Sequence, residues 1–304
     1  MKKILRFASA LLCGAMLLCS LSVTAFAEND DEVYDFDPNT DKIYSEAVYM
    51  VNTDTGDVVF KKNESKKMYP ASTTKIMTCI IALEHLSEGA LSKKVEVPYD
   101  CFNDFYEDPN YSDPSNAAIE PLQDNLTYKD CLYALMLPSA CEAANILAYN
   151  IGGGSITKFI GMMNEKAKEL GCTGTHFTNP HGLQDENHYT TPYDIYLMLK
   201  EALNYPEFTD ITQMSSYTVT YKHSDGSDAS TTLTATDHYL TGEATTPKDV
   251  TILGGKTGTT DKAGNCLALL SQNAYGKPFI SIVMGASSKD VLYQEMTSLL
   301  QNIN

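Results

Sequence analysis

Apolar residues fall into two kinds of pattern along this chain, and the change from one to the other marks its elements. Ala47-Val48-Tyr49-Met50-Val51 and Val58-Val59-Phe60 are short apolar runs on either side of Asp54-Thr55-Gly56-Asp57, which predicts a β-hairpin turning at Thr55-Gly56. From Ser72 to Leu86 the apolar positions 76, 77, 80, 83 and 86 follow the helical repeat, so a buried helix is predicted to start near Ser72. Residues 100–126 are rich in Asn, Asp, Pro and Ser and predict a long surface loop. Thr127 and Asp130 have capping-box spacing and open a helix through Leu137, which Pro138-Ser139 interrupts. A second helix is expected from about Cys141 to Tyr149, ending at Gly152-Gly153-Gly154, and Ser155 caps another that runs to Leu170 and ends at Gly171. Residues 217–221 and 231–236 predict a polar hairpin around Asp225-Gly226. The last third predicts strands near 250–257, 265–271 and 278–285, then a helix near 288–302. Strands at both ends with helices between them imply one mostly antiparallel sheet, closed by its termini, in a single α/β unit over 43–304 with a helical insertion. No internal repeat and no second domain is visible.

The first 42 residues read differently. Lys2, Lys3 and Arg6 precede an almost wholly apolar stretch from Leu11 to Val23, and Ala25-Phe26-Ala27 supplies a small-x-small cleavage pattern. The apolar run is short for a membrane span, so residues 1–27 are expected to be a secretory signal peptide, with an uncleaved N-terminal anchor as the alternative. Cys13 and Cys19 follow Leu12 and Leu18 rather than small residues, which argues against a lipoprotein site. Residues 28–42 are acidic, lack periodicity and read as a loose arm. An exported protein is therefore expected. With 22 Lys+Arg against 39 Asp+Glu, a net charge of −17, a general affinity for nucleic acid or anionic lipid is excluded. Arg6 is the only arginine, so no arginine fork exists downstream of the leader. Beyond the leader stand Cys79, Cys101, Cys131, Cys141, Cys172 and Cys266. An even number permits disulfides in an exported chain, yet a chain this long buries a sufficient core without them. Cys79, Cys131 and Cys141 lie in apolar helical patterns, where a thiol acts as a small hydrophobe. There is no C-x-x-C pair to suggest a structural zinc.

Three short motifs carry candidate chemistry. Ser72-Thr73-Thr74-Lys75 places a lysine one turn after a serine, so the amine can reach the hydroxyl. Burial and the positive end of the helix both disfavour the ammonium form and make Lys75 a usable base. Serine is a weak nucleophile until such a base takes its proton. The spacing alone is common: Ser155-Ile156-Thr157-Lys158 repeats it, and there Ser155 reads as an N-cap with Lys158 on the solvated face. Ser139-Ala140-Cys141 sits on the predicted turn between two helices and by itself reads as another N-cap. Gly254-Gly255-Lys256-Thr257-Gly258-Thr259-Thr260 puts a cation, hydroxyls and a close-approach backbone on a late strand, with a glycine-rich bulge as the plain reading.

Taken together and in this order, the motifs resemble the serine penicillin-binding and β-lactamase superfamily. The nearer resemblance is to the low-molecular-mass D-alanyl-D-alanine carboxypeptidases, carried by YPASTTKIMT (69–78), LMLPSACEAANILA (135–148), FTNPHGL (177–183) with HYTTPYD (188–194), and GGKTGTTDKAGNCLA (254–268). It covers roughly residues 45–290. The resemblance implies an α/β (α+β) fold, a five-stranded mostly antiparallel sheet flanked by helices, with an all-helical lobe. It implies Ser72 as the nucleophile attacking the bond between two terminal D-alanines of a peptidoglycan stem, Lys75 as general base and Ser139 as proton relay. Lys256 would hold the terminal carboxylate with Thr257 and Thr259, Gly258 and Cys141 would border the substrate, and the N–H groups of Ser72 and Thr259 would form the oxyanion hole. β-Lactams would acylate Ser72. No metal, cofactor or nucleic acid is implied, and a monomer on the cell-wall side of the membrane is expected. Many members continue into a β-rich domain and an amphipathic anchor; with Asn304 following the last helix, neither is expected here.

Two positions depart from the family pattern. Cys141 stands where an asparagine amide usually binds substrate and helps fix the lysine, and Asn145, a turn later, is a poor substitute. No arginine is available to clamp a carboxylate, leaving Lys256 as a point charge. A β-lactamase would need a carboxylate to activate water, for which Glu142 is one candidate. A zinc peptidase would draw on His176, His181 and His188, whose spacing matches no familiar zinc set. A β-lactam-sensing or wall-binding homologue would acylate without turnover.

Overall fold

Strand β1 (Ala47–Asn52) is buried along its whole length because it lies inside a sheet covered on both faces. The computed structural model describes residues 43–103, 105 and 115–303. The leader at 1–27, the acidic arm at 28–42 and part of the 100–126 loop lie outside the described residues. β1 pairs antiparallel with β2 (Val58–Lys62) on one side and with β7 (Pro278–Ala286) on the other. β6 (Gly264–Gln272) and β5 (Thr251–Thr260) continue outward, giving the antiparallel order β2-β1-β7-β6-β5. The fold class expected from the sequence is thus observed. β3 (Ser216–Lys222) and β4 (Asp228–Thr234) form the expected polar hairpin as a separate two-stranded sheet.

Alternation along the strands sorts side chains between two cores. Val48, Met50, Leu267, Leu269 and Val283 face Leu292, Met296, Leu299 and Leu300 of the last helix, α8 (Lys289–Gln301). Tyr49, Val51, Ala268, Leu270, Ile280 and Ile282 belong to the larger cluster shared with the helical side. At the centre of that side, α1 (Lys75–His85) is buried from Lys75 through Leu83 and packs against α2 (Tyr128–Met136), α3 (Cys141–Ile151), α4 (Ile156–Glu169) and α5 (Pro192–Ala202). A helix apolar all round belongs in a core.

The predicted Ser72 helix begins more tightly than expected: Ala71–Thr74 is a 3-10 turn, and the α-helical ladder starts at Lys75. Three helices were not anticipated, α5, α6 (Pro206–Thr212) and the short α7 (His238–Thr241). The start of α5 was nonetheless written in the chain, since Thr191 caps Asp194 N–H at 3.0 Å and Pro192 occupies the first helical position. The six cysteines among the described residues are unpaired and buried, as small hydrophobes would be. No helix among the described residues is long and apolar enough to cross a membrane.

The capping box of α2 forms as read: Thr127 Oγ1 accepts the Asp130 N–H at 3.2 Å, and the Asp130 carboxylate accepts the Thr127 N–H at 3.0 Å. Thr127→Ala should lower unfolding free energy by about 1 kcal/mol, whereas Thr127→Ser keeps the acceptor and stays near wild type. Urea titration followed by circular dichroism checks both values.

Candidate active site

Ser72 sits half-buried on the 3-10 turn, directly before the helix that carries Lys75. Ala71 takes a left-handed φ of 47° there, a conformation costly for a residue with a Cβ. Lys75 is 0% exposed. Its amine donates to Ser72 Oγ at 2.9 Å and to the His181 carbonyl at 2.6 Å, with Cys141 Sγ at 3.5 Å. Desolvation pushes the amine below the ordinary lysine range, against weaker opposing effects of Cys141 and Glu142. An amine taken out of water and touching a hydroxyl has the geometry a base for that hydroxyl would need.

The 177–183 block supports this pair from below. Asn179 Oδ1 accepts the Gly182 N–H at 2.7 Å and its Nδ2 donates to Leu183 O at 3.0 Å, folding the loop on itself. Thr78 Oγ1 of α1 donates to Pro180 O at 2.6 Å. Gly182 has φ +92°, and a Cβ there would lie 1.9 Å from Ala71 O, so the loop reaches the Ser72 turn only with glycine. His188 accepts the Thr178 N–H through Nδ1 at 3.0 Å and meets Thr74 Oγ1 through Nε2 at 2.8 Å. Burial pushes its pKa down to about 3, so it stays neutral and structural. His176 bonds through Nδ1 to Asn187 O at 2.6 Å. Among the described residues no three His, Cys, Asp or Glu side chains form a metal-binding group.

Ser139 is not the N-cap its sequence context suggests. Ala140 occupies the cap of α3, while Ser139 has φ 68° and its buried Oγ lacks a hydrogen-bond partner. A strained backbone and an unsatisfied hydroxyl are both costs that a purely structural serine would not carry. Asn145 points away, donating to Cys101 O at 3.0 Å. Glu142 accepts the Ala117 N–H at 2.6 Å and does not line the cleft described below, so nothing places it against a hydrolytic water. In the second S-x-x-K, Ser155 caps the Lys158 N–H at 3.2 Å and Lys158 is exposed, as its plain reading has it.

β5 is an edge strand and runs beside the Ser72 turn. A Cβ on Gly258 would stand 2.9 Å from Ser72 N and 3.1 Å from Pro70 O, so this contact requires glycine. Lys256 is 1% exposed and donates to Thr257 O at 2.9 Å; burial, then the nearby Lys75, push its amine well down. Thr257 Oγ1 lies 2.5 Å from Thr236 Oγ1, and Thr259 Oγ1 donates to Asn265 Oδ1 at 3.2 Å.

A cleft of about 250 Å³ joins these parts, lined by Ser72, Ser139, Thr257, Gly258 and Thr259. Lys75, Cys141 and Lys256 are not among its lining residues and are buried behind it. The structure also brings in side chains that sequence reasoning missed: Ser115, Thr236, and Lys289 and Tyr293 from α8. No motif marks them; Lys289 has only its place in the first turn after the last strand. Among the described residues it is the one cation lining this cleft, and it is exposed.

A serine–lysine pair at the junction of a five-stranded antiparallel sheet and a helical lobe, faced by a Lys-Thr-Gly strand, defines a serine DD-peptidase. The chain belongs to the D-alanyl-D-alanine carboxypeptidase family, which it matches over residues 35–288, and is a serine-type carboxypeptidase of that kind. It is 31% identical over 299 residues to the D-alanyl-D-alanine carboxypeptidase DacF of Bacillus subtilis, covering 97% of this chain and 70% of that one. A Streptomyces D-alanyl-D-alanine carboxypeptidase is 28% identical over 257 residues, 83% of this chain and 84% of its own. The crystal structure of a Streptomyces DD-transpeptidase superposes with a TM-score of 0.76 at 28% identity, covering 86% of this chain and 97% of the other.

Gly258→Ala should cut D-alanine release from a diacyl-Lys-D-Ala-D-Ala peptide by roughly tenfold or more, because the new methyl displaces Ser72 or β5 and misplaced reacting groups are costly. Steady-state kinetics with a parallel thermal melt separate this from unfolding; near-normal turnover would mean the contact with Ser72 is loose.

Proposed function

We propose that this protein removes the terminal D-alanine from peptidoglycan stem pentapeptides through an acyl-enzyme on Ser72, and that β-lactams acylate the same hydroxyl. The observation that carries this reading is the 2.9 Å contact between a fully buried Lys75 amine and Ser72 Oγ. Lys75 takes the Ser72 proton as the oxygen attacks the carbonyl between the two D-alanines. The developing oxyanion accepts the N–H groups of Ser72 and Thr259, each such donor being worth about 3 kcal/mol in comparable sites. The proton passes to the leaving amine through Ser139 Oγ, whose unpartnered state in the free protein supports this role. Water then hydrolyses the ester and the deacylated serine regains its proton.

Thr257, Thr259 and Lys256 receive the terminal carboxylate, with the Gly258 backbone alongside. The burial of Lys256 leaves room for a second cation at the surface, and Lys289 supplies it. Cys141 borders the substrate and meets the Lys75 amine only weakly, so the His181 carbonyl bears most of that amine's orientation. The leader pattern of residues 1–27 supports an extracytoplasmic, secreted enzyme, held at the membrane only if that leader stays uncleaved, and the reading takes it as a metal-independent monomer with one catalytic unit over 43–304.

Fluorescent penicillin should label Ser72, and both Ser72→Ala and Lys75→Ala should abolish labelling, since nucleophile and base act as one unit. A label mapped elsewhere, Ser155 included, overturns the reading. The labelling rate should rise with pH and level off below the range where an ordinary lysine loses its proton, because desolvation favours the neutral amine of Lys75. A rising limb that persists to strongly alkaline pH would point to a different base.

Lys289→Ala should raise the KM for a peptide with a free terminal carboxylate by roughly two- to fivefold, the scale of a solvent-exposed ion pair. Its carboxamide analogue should be unaffected, and Lys289→Arg should restore the KM. Equal effects on both peptides would remove Lys289 from carboxylate recognition.

A further inference from the structure

Glu142 follows Cys141 in the first turn of α3 and is only 4% exposed. One of its oxygens, Oε1, accepts the Ala117 N–H at 2.6 Å and the Ile119 N–H at 3.5 Å. Between these two, Ala118 takes a left-handed φ of 56°, which turns the flanking N–H groups toward one point. Backbone amides converging in this way make an anion-binding concavity, and here the chain's own carboxylate fills it. One residue earlier in the same helix, the Cys141 N–H donates to Ser115 O at 2.8 Å. Ser115 lines the cleft with Ser72 and Ser139. Two consecutive residues of α3 therefore hold the 115–119 segment, one by its amide and the other by its carboxylate. Burial pushes the Glu142 carboxyl upward, and the N–H groups that it accepts, with Lys75, oppose that shift. An acid kept out of water at this place is compensated by those contacts, while its side chain touches neither Ser72 nor the cleft.

We infer that Glu142 is a positioning residue for substrate: by filling the concavity at 117–119 it fixes the cleft wall that carries Ser115, and so sets affinity for the stem peptide. This rests on the reading of the Ser72 cleft as the substrate site. The wall and the nucleophile are held by different contacts. Ser72 is set by β5 and the 177–183 loop, so loss of the Glu142 contact loosens the wall and leaves the reacting pair in place. Glutamine keeps one carbonyl oxygen for the same two amides; alanine keeps none.

The test compares full-length Glu142→Gln and Glu142→Ala with wild type. Amide hydrogen exchange of Ala117 and Ile119, read without substrate, should accelerate about tenfold or more in the alanine variant and less in the glutamine variant. KM for diacyl-Lys-D-Ala-D-Ala should rise about fivefold or more in Glu142→Ala with kcat within twofold, and Glu142→Gln should recover most of the loss. Unchanged exchange at Ala117 overturns the proposal, as does a fall in kcat at constant KM, which would assign Glu142 to the protonation of Lys75 instead. Should the alanine variant fail to fold, Glu142→Gln decides by the same exchange measurement. A penicillin label mapped away from Ser72 would defeat the functional reading while leaving the exchange result standing.

Discussion

Taking a lysine amine out of water disfavours its charge, and the amine left behind still needs partners for its hydrogens. Lys75 meets both demands only because three separate segments converge on it: the turn bearing Ser72, the start of α3 with Cys141, and the loop that ends in His181 and Gly182. Each brings a compromise in its own backbone. Ala71 and Ser139 take left-handed φ angles, and Gly182 is squeezed against Ala71 O. Strain of this sort persists where surrounding structure over-determines it. Here the buried helix α1 and the edge strand β5 supply that frame.

A second buried amine makes the arrangement more demanding. Lys256 lies close enough for the charges of the two lysines to oppose each other, and both are pushed toward neutrality. A site meant to attract an anion would ordinarily keep its cations charged, and this chain has no arginine beyond Arg6 to do so. The surface-facing Lys289 and the hydroxyls of Thr236, Thr257 and Thr259 give the cleft a polar rim, while the amines of Lys75 and Lys256 lie buried behind it. The small sulfur of Cys141 fits this division. It meets Lys75 at 3.5 Å without offering the strong hydrogen bond of an amide.

Much of this was legible because it is local. The capping box at Thr127, the N-cap at Ser155 and the strand-turn-strand around Gly56 are short-range patterns whose physics acts within a few residues. The order of the three motifs sufficed to bring Ser72, Lys75, Ser139 and the Lys-Thr-Gly strand into one reading. What escaped was set by distance along the chain. Lys289 and Tyr293 reach the cleft through the docking of α8 onto the sheet, and Ser115 through its carbonyl's bond from the Cys141 N–H. The burial of Lys256 likewise depends on neighbours from other elements. Ser139 shows the reverse case: its sequence neighbourhood favoured a cap, and tertiary constraint turned its backbone left-handed instead.

The strand order has a temporal side. β1 gains a second partner only when β7 arrives, pairing Ala47 with Met284 across most of the chain. Before that, β1 and β2 are a lone hairpin, which is marginal in water. Lys256 too comes late, on a strand whose route into the sheet runs through β6 and β7. Long-range pairing of this kind slows folding, because the entropy of closing the loop is lost before any contact returns it. The serine and lysine of the first turn can thus become neighbours early, on a helix, but their dry surroundings are among the last things the chain builds. A half-folded molecule would carry Ser72 and Lys75 side by side in water, where the amine holds its proton and the serine stays inert.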